Sequence, residues 1–426
     1  MGFQQGLSGL NAASKSLDVI GHNVANANTV GFKSGRAEFA EMVASAIGSA
    51  DGLNAGIGVD VAAVAQQFGQ GSLTITGNNL DVAINGAGFF TLTLPDGTPA
   101  YTRSGNFKLD KDGNMITNDA ARVMGYPVDP ATGLRTGAEP VGMVFPTTAP
   151  IPAKQTGTIT AAFNLDARAP DAAGNPAAQP PVPATPRTTY GTSINVYDSQ
   201  GVAKPVNLYF QKTATANTWA VYDRLDDPGA TPPVQAMPIG QITFDNDGKI
   251  TGPAAPAPAT GFALPLSIDP TPPNPNGLPA YTVQLKLDGV TQFGTRFAVS
   301  SLSQDGYTVG ELAGIDIESN GMLMTRYSNG VTRSEGQLAL SRIRNAQGLA
   351  AVGSNNWVAT HACGPAVVGT ASDGNFGALR SGALEDSNVD LTAELVNMMT
   401  AQRTYQANAQ TVKTQDQVMS TLVNLR

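Results

Sequence analysis

The chain has 426 residues, 14% of them charged, and a formal net charge of -8, which leaves no basic surface to hold nucleic acid or anionic lipid. One cysteine (Cys363) and two histidines (His22 and His361) exclude an intrachain disulfide framework and a Cys/His metal centre, and no cofactor is expected. No apolar run reaches the ~18 residues of a membrane-spanning helix, and the opening Met1-Gly-Phe-Gln-Gln-Gly lacks the features of a cleaved secretory signal, so neither insertion nor signal-peptide export is expected.

In chain order, Phe3, Leu10, Leu17 and Val24 fall seven apart, and Leu7, Ala13 and Ile20 widen the stripe, which predicts an amphipathic N-terminal helix. Asn26, Asn28 and Gly31 then supply the residue types of a helix C-cap and tight turn. The Gly31-Phe-Lys-Ser string imitates the tail of a phosphate loop but lacks its upstream glycine, and reads as structural punctuation. Residues 40–58 are small and Gly-rich and read as a spacer. Strand-like alternation begins at Val59 and Val61 and continues through Leu73, Ile75, Leu80, Val82 and Ile84, with turn signals at Asn85-Gly86 and Asp96-Gly97 and an apolar cluster at Phe89, Phe90, Leu92 and Leu94.

Asp110-Lys-Asp-Gly-Asn114 and Asp245-Asn-Asp-Gly-Lys249 imitate fragments of a calcium loop but lack its sixth-position Gly and twelfth-position Glu; β-turns are expected. Of the 29 prolines, 23 lie between Pro146 and Pro279, which marks a separate β-domain with extended loops around 169–186, 252–259 and 270–279. Its expected strands are 193–197, 206–210, 219–222, 241–244 and 281–287. From Tyr307 the earlier composition returns, with strands at 315–318, 322–327 and 337–342. This symmetry implies nesting, in which the Pro-rich domain is inserted into a β-domain built from both halves of the chain.

The last stretch is an uninterrupted heptad: Leu391, Met398, Tyr405, Val412 and Met419 form one series, and Leu395, Gln402, Ala409, Asp416 and Val423 run beside it. Asp390 is the expected N-cap, and no Gly or Pro follows it. Packing along one such seam does not offset the entropy of ordering so long a helix, so each terminal helix needs several neighbours. The economical source is other copies of the same chain.

These motifs resemble the bacterial flagellar axial proteins, most closely the flagellar hook protein family. Gly6-Leu-Ser-Gly-Leu-Asn-Ala-Ala13 and the string through Asn26, Asn28, Thr29, Gly31, Phe32 and Lys33 resemble the family's N-terminal signature. Asn78-Asn-Leu-Asp-Val-Ala-Ile-Asn-Gly-Ala-Gly-Phe-Phe90, Arg326-Tyr-Ser-Asn-Gly330, Gly336-Gln-Leu-Ala-Leu340 and Asn345-Ala-Gln-Gly-Leu349 are similar to its β-domain blocks, and Gln402-Arg-Thr-Tyr-Gln-Ala-Asn408 to its C-terminal signature. The resemblance implies a mainly β protein with α-helical termini paired as a coiled coil and two nested β-rich domains. It implies an inner helical domain (1–70 plus 382–426), a middle β-domain (71–145 plus 309–381) and an outer inserted β-domain (146–308).

It also implies a homopolymer, a helical tube that joins rod to filament as a universal joint, exported through the flagellar type III apparatus. The implied partners are a hook cap protein, a distal rod protein and a hook-filament junction protein; localisation is the extracellular hook. The expected subunit-interface residues are Phe3, Leu7, Leu10, Leu17, Ile20, Val24, Leu391, Leu395, Met398, Tyr405, Val412 and Met419. A distal rod or junction protein of the same family is the neighbouring alternative, and a secreted β-rich adhesin is the alternative of another class. An enzyme is not expected, because no triad, phosphate loop or paired catalytic carboxylates stand out.

Overall fold

The computed structural model describes residues 2–424 except 44–55, 131, 148–149, 227–235, 256–260 and 269–277. Two helices bracket a chain that is otherwise built of strands: α1 (Gly2–Ala25) and α2 (Leu391–Asn424), which pack on each other. The chain divides into two compact units, one of Met1–Thr148, Leu312–Arg326 and Thr332–Arg426, the other of Ala149–Glu311 and Tyr327–Val331.

In the first unit, β1 (Gly35–Val43) and β2 (Gly56–Gln66) form a long antiparallel hairpin packed against α1. β1 is not read from the sequence, because Arg36, Glu38 and Glu41 interrupt its apolar residues; its strand form depends on pairing with β2 and on α1. The stretch 40–58 read as spacer therefore begins and ends in strand, and its remainder, 44–55, lies outside the described residues.

The main sheet of this unit runs through strands Thr332–Arg342, Arg122–Tyr126, Phe89–Thr93, Pro99–Thr102 and Asn356–Ala359, so three strands from the first half of the chain are flanked on both sides by strands from the second. Val82, Ile84, Phe90, Leu92, Phe107, Leu338, Leu340 and Leu379 fill its core. A second cluster holds Phe89, Tyr101, Ile343, Trp357 and Cys363, with Phe68 set edge-on to Phe89 and Trp357; Cys363 is a buried, free thiol. Asp110 and Asp245 each cap a tight turn by accepting backbone N–H bonds from Asp112 and Asn114, and from Asp247 and Lys249.

The second unit has two five-stranded sheets whose inward side chains, among them Phe163, Val196, Phe210, Trp219, Leu266 and Val283, share one core. The strands expected at 193–197, 206–210, 219–222, 241–244 and 281–287 fall on Gly191–Tyr197, Ala203–Lys212, Thr218–Tyr222, Gly240–Phe244 and Tyr281–Lys286. Thr158–Asp166, Ala263–Ile268 and Ala298–Gln304 are additional. Thr158–Asp166 pairs in parallel with Tyr281–Lys286 and Thr291–Phe293 and antiparallel with Ala298–Gln304, so partners more than a hundred residues away hold it.

Each unit carries one buried tryptophan, Trp219 in the second and Trp357 in the first. Phe210→Ala is expected to cost the second unit about 3–5 kcal/mol. In single-tryptophan variants it shifts the denaturant transition seen by Trp219 and leaves that seen by Trp357 in place.

Candidate functional site

α1 and α2 run antiparallel. A Cβ at Gly6 would lie 3.0 Å from Val412 Cγ2, one at Gly9 would lie 2.8 Å from Asn408 Nδ2, and Asn23 reaches Glu394. Gly6, Gly9, Ala12, Ala13 and Ala401 therefore make the contact, and their size lets the two backbones approach closely. Asp390 caps α2: its Oδ1 accepts from the N–H groups of Thr392 (2.9 Å) and Ala393 (3.2 Å), and its carbonyl accepts from the N–H of Glu394.

Close contact through small residues leaves the larger apolar side chains elsewhere. Ile20 is buried, and Leu10, Leu17, Val24, Met398 and Val412 are partly buried. Phe3, Leu7, Leu391, Leu395, Tyr405 and Met419 are exposed, as are Val396 and Met399 beside them.

Where α1 ends, Asn26 Nδ2 donates to the His22 carbonyl at 2.9 Å, and its backbone carbonyl accepts from Thr29 N–H at 3.0 Å. Asn28 and Thr29 face solvent. Gly31 has φ +71° and lies so near the segment after strand Pro99–Thr102 that a Cβ would sit 2.6 Å from Ser104 N; its own N–H donates to the Glu385 carbonyl at 2.7 Å. Phe32 is buried with its ring 5.5 Å from that of His22.

Lys33 is also buried, and its Nζ meets Glu385 Oε1 at 2.5 Å and the Gly69 carbonyl at 2.7 Å. Arg103 completes the cluster with Nη1 2.9 Å from Glu385 Oε2 and Nη2 donating to the Gly86 carbonyl, and Gly71 N–H donates to Glu385 Oε1 at 3.0 Å. Burial holds the Lys33 pKa below the ordinary lysine value; Glu385 opposes this, and Arg103 adds to it.

Two amides extend the knot. Asn23 bonds Gly35 in both directions at 2.8 Å. Asn388 accepts from Ser34 N–H at 2.8 Å and donates to the Gln67 carbonyl at 2.6 Å. Sequence reasoning placed Lys33 in a signature and gave it no partner; Glu385, Arg103, Asn23 and Asn388 it missed. The available signal was the scarcity of charge, which makes an isolated Lys in an Asn/Gly turn unusual, but nothing in one sequence couples position 33 to 385.

No described helix is long and apolar enough to cross a membrane, and the described residues hold no group of three or more His, Cys, Asp or Glu that could bind a metal.

Four family models match successive parts of the chain: "Flagella basal body rod protein" over 3–33, "Flagellar hook protein FlgE/F/G D1 domain" over 83–161, "Flagellar basal body protein FlaE D2 domain" over 164–307, and "Flagellar basal body rod FlgEFG protein C-terminal" over 380–425. The chain is 42% identical to the flagellar hook protein FlgE of Salmonella typhimurium, with all of both chains covered, and 41% identical to that of Escherichia coli. It is 33% identical to that of Treponema pallidum, with 99% of this chain and 98% of the relative covered. The crystal structure of Helicobacter pylori flagellar hook protein FlgE2 is similar in fold, with a TM-score of 0.52 at 14% identity, over 73% of this chain and all of that one.

Glu385→Gln leaves two buried cations without a counter-charge and is expected to cost about 3–5 kcal/mol in denaturant unfolding followed by Trp357 fluorescence. Lys33 supplies the pH dependence. Because its folded pKa lies below the unfolded value, the unfolded chain binds more protons between the two, and stability from this group rises with pH in that window. The stability of the native chain relative to Lys33→Met therefore increases as the pH is raised through the folded-state pKa toward the ordinary lysine range, measured as the difference between paired denaturant titrations.

Proposed function

The chain belongs to the flagellar hook protein FlgE family, and from that premise we propose that its packed termini are the ends through which identical copies polymerise into the tubular, bendable hook. It is a structural subunit of the flagellar hook. The observation that carries the polymerisation reading is apolar surface left in solvent on helices that already have a partner: Phe3 is 50% exposed, Leu395 51% and Met419 61%.

The remaining expectations join this proposal. Residues 1–70 with 382–426 form the inner helical domain, 71–145 with 309–381 the middle shell, and 146–308 the outer domain; supporting this, the D1-type and D2-type matches meet between residues 161 and 164. Both ends match models named for rod proteins, which supports a distal rod protein as the partner at one end of the tube, joined through the same terminal contacts. A cap protein and a junction protein complete the set, and subunits reach the tip through the flagellar export apparatus without a cleaved signal. The tube transmits torque while bending.

Full-length protein is expected to form sedimentable polymers visible by negative-stain microscopy. A chain lacking residues 1–30 and 390–426 is expected to stay soluble and to keep the Trp219 unfolding transition. Polymers from the trimmed chain would remove the termini from the mechanism.

A further inference from the structure

Four Asn-Gly pairs occur in the chain, and one of them, Asn276-Gly277, lies outside the described residues. The other three are Asn85-Gly86, Asn320-Gly321 and Asn329-Gly330. A glycine after asparagine has no side chain to keep its backbone nitrogen away from the asparagine carboxamide, so the surrounding fold decides which pair can react.

Two of the three are held. Asn320 Nδ2 donates to Glu318 Oε2 at 3.1 Å, and its Oδ1 accepts from Met322 N–H at 2.8 Å. Asn329 Nδ2 donates to the Thr308 carbonyl at 2.7 Å, and its Oδ1 accepts from Val331 N–H at 3.0 Å. The glycine that follows each is also engaged, with Gly321 N–H on the Glu318 carbonyl at 2.9 Å and Gly330 N–H on the Tyr327 carbonyl at 3.0 Å. Asn85 differs. It ends the strand Val82–Asn85, is exposed, and its carboxamide has no hydrogen-bond partner among the described residues. The next N–H, of Gly86, donates to the side chain of exposed Gln70, at 3.0 Å from Oε1.

We propose that Asn85 is a site of spontaneous deamidation that loosens the Glu385 knot as the protein ages, at a rate set by the Gln70 side chain. The Gly86 nitrogen attacks Asn85 Cγ and closes a succinimide ring. The Cγ–Nδ2 bond breaks, and Nδ2 leaves as ammonia with the proton that the Gly86 nitrogen gives up. Water then opens the ring. Cleavage at Cγ leaves aspartate in an unaltered backbone; cleavage at the main-chain carbonyl carbon leaves isoaspartate, whose backbone is one methylene longer.

The position gives that methylene its effect. Gly86 has φ +119°, a Cβ on it would lie 2.9 Å from Gly377 Cα, and its carbonyl accepts from Arg103 Nη2 at 2.9 Å. Asn85 itself stands opposite Ala378 at the end of a strand ladder. A longer backbone here cannot keep both that register and the bond to Arg103. Arg103 Nε is already buried without a partner, so loss of the Gly86 carbonyl leaves Glu385 as the remaining hydrogen-bond acceptor of this guanidinium among the described residues.

The test ages the full chain at neutral pH and follows each Asn-Gly pair by peptide mapping in a mass spectrometer, with isoaspartate counted by enzymatic methylation. Asn85 is expected to react at least about 10-fold faster than Asn320 or Asn329, which must first break side-chain hydrogen bonds, and the three rates should converge in denaturant. Gln70→Ala frees the Gly86 N–H and should speed the reaction at Asn85 about 3-fold. In aged native chain, a Trp357 unfolding transition at lower denaturant should grow in step with isoaspartate at Asn85, and Asn85→Ser should show no such growth. Equal rates at the three pairs in the folded chain overturn the site. An unchanged rate in Gln70→Ala overturns the role of Gln70, and aged native chain that unfolds as fresh chain does overturns the link to the knot.

Discussion

Glu385 is the constraint on which the arrangement of the chain ends depends. It is fully buried, it bridges Lys33 to Arg103, and its carbonyl and carboxylate receive backbone N–H groups from Gly31 and Gly71. Those residues come from four different stretches: the turn after α1 (Gly31 and Lys33), the bend after strand Pro99–Thr102 (Arg103), the segment after β2 (Gly71), and the approach to α2 (Glu385). A buried ion triad contributes little net stability against an apolar replacement, since desolvation offsets most of the attraction. What it does contribute is position. Glu385 is the carboxylate paired with both buried cations, so an alignment of the ends that withdraws it leaves charges stranded.

Position matters because the helix pair adds little apolar burial of its own. On α1 its contact surface is glycine and alanine, which lets Val412 and Asn408 of α2 come close, whereas most residues with large apolar area are exposed elsewhere on the helices. Burial scales with apolar area, so the pair gains less from its own contact than the exposed ridges would gain from a further partner. The knot of Lys33, Glu385, Arg103, Asn23 and Asn388 supplies locally, by polar complementarity, the alignment that the thin apolar seam does not. The end of α1 is thereby tied to the start of α2.

Much of this was legible from periodicity. Heptads over 3–24 and 391–423 specified both helices, Asp390 specified where the second begins, and alternation specified most strands of the second unit, because each of these signals is local. What was not legible depends on partners far away in sequence. β1 is too polar to declare itself and is a strand because β2 and α1 lie beside it. Thr158–Asp166 does alternate, with Ile159, Ala161, Phe163 and Leu165 inward, but its alanines weaken the pattern and its parallel partners lie beyond residue 280. The heptad likewise shows that a face is apolar without showing what covers it. Here the side of α1 that meets α2 is its small-residue side, which hydrophobic periodicity undervalues.

The scarcity of charge also bears on how copies can fit together. Charged contacts favour one register strongly and weaken with salt, whereas apolar ridges among small side chains offer several packings of similar energy separated by short translations. A tube whose subunits must change spacing as it bends needs the second kind of contact at its surfaces and the first kind inside each subunit. The division in this chain follows that requirement: the ion triad is buried within a single copy, where it fixes the ends relative to the β-domain, and the faces left open on the helices are almost free of charge. Exchanging the two, with salt bridges between copies and an apolar core at Glu385, would produce subunits that deform and joints that lock.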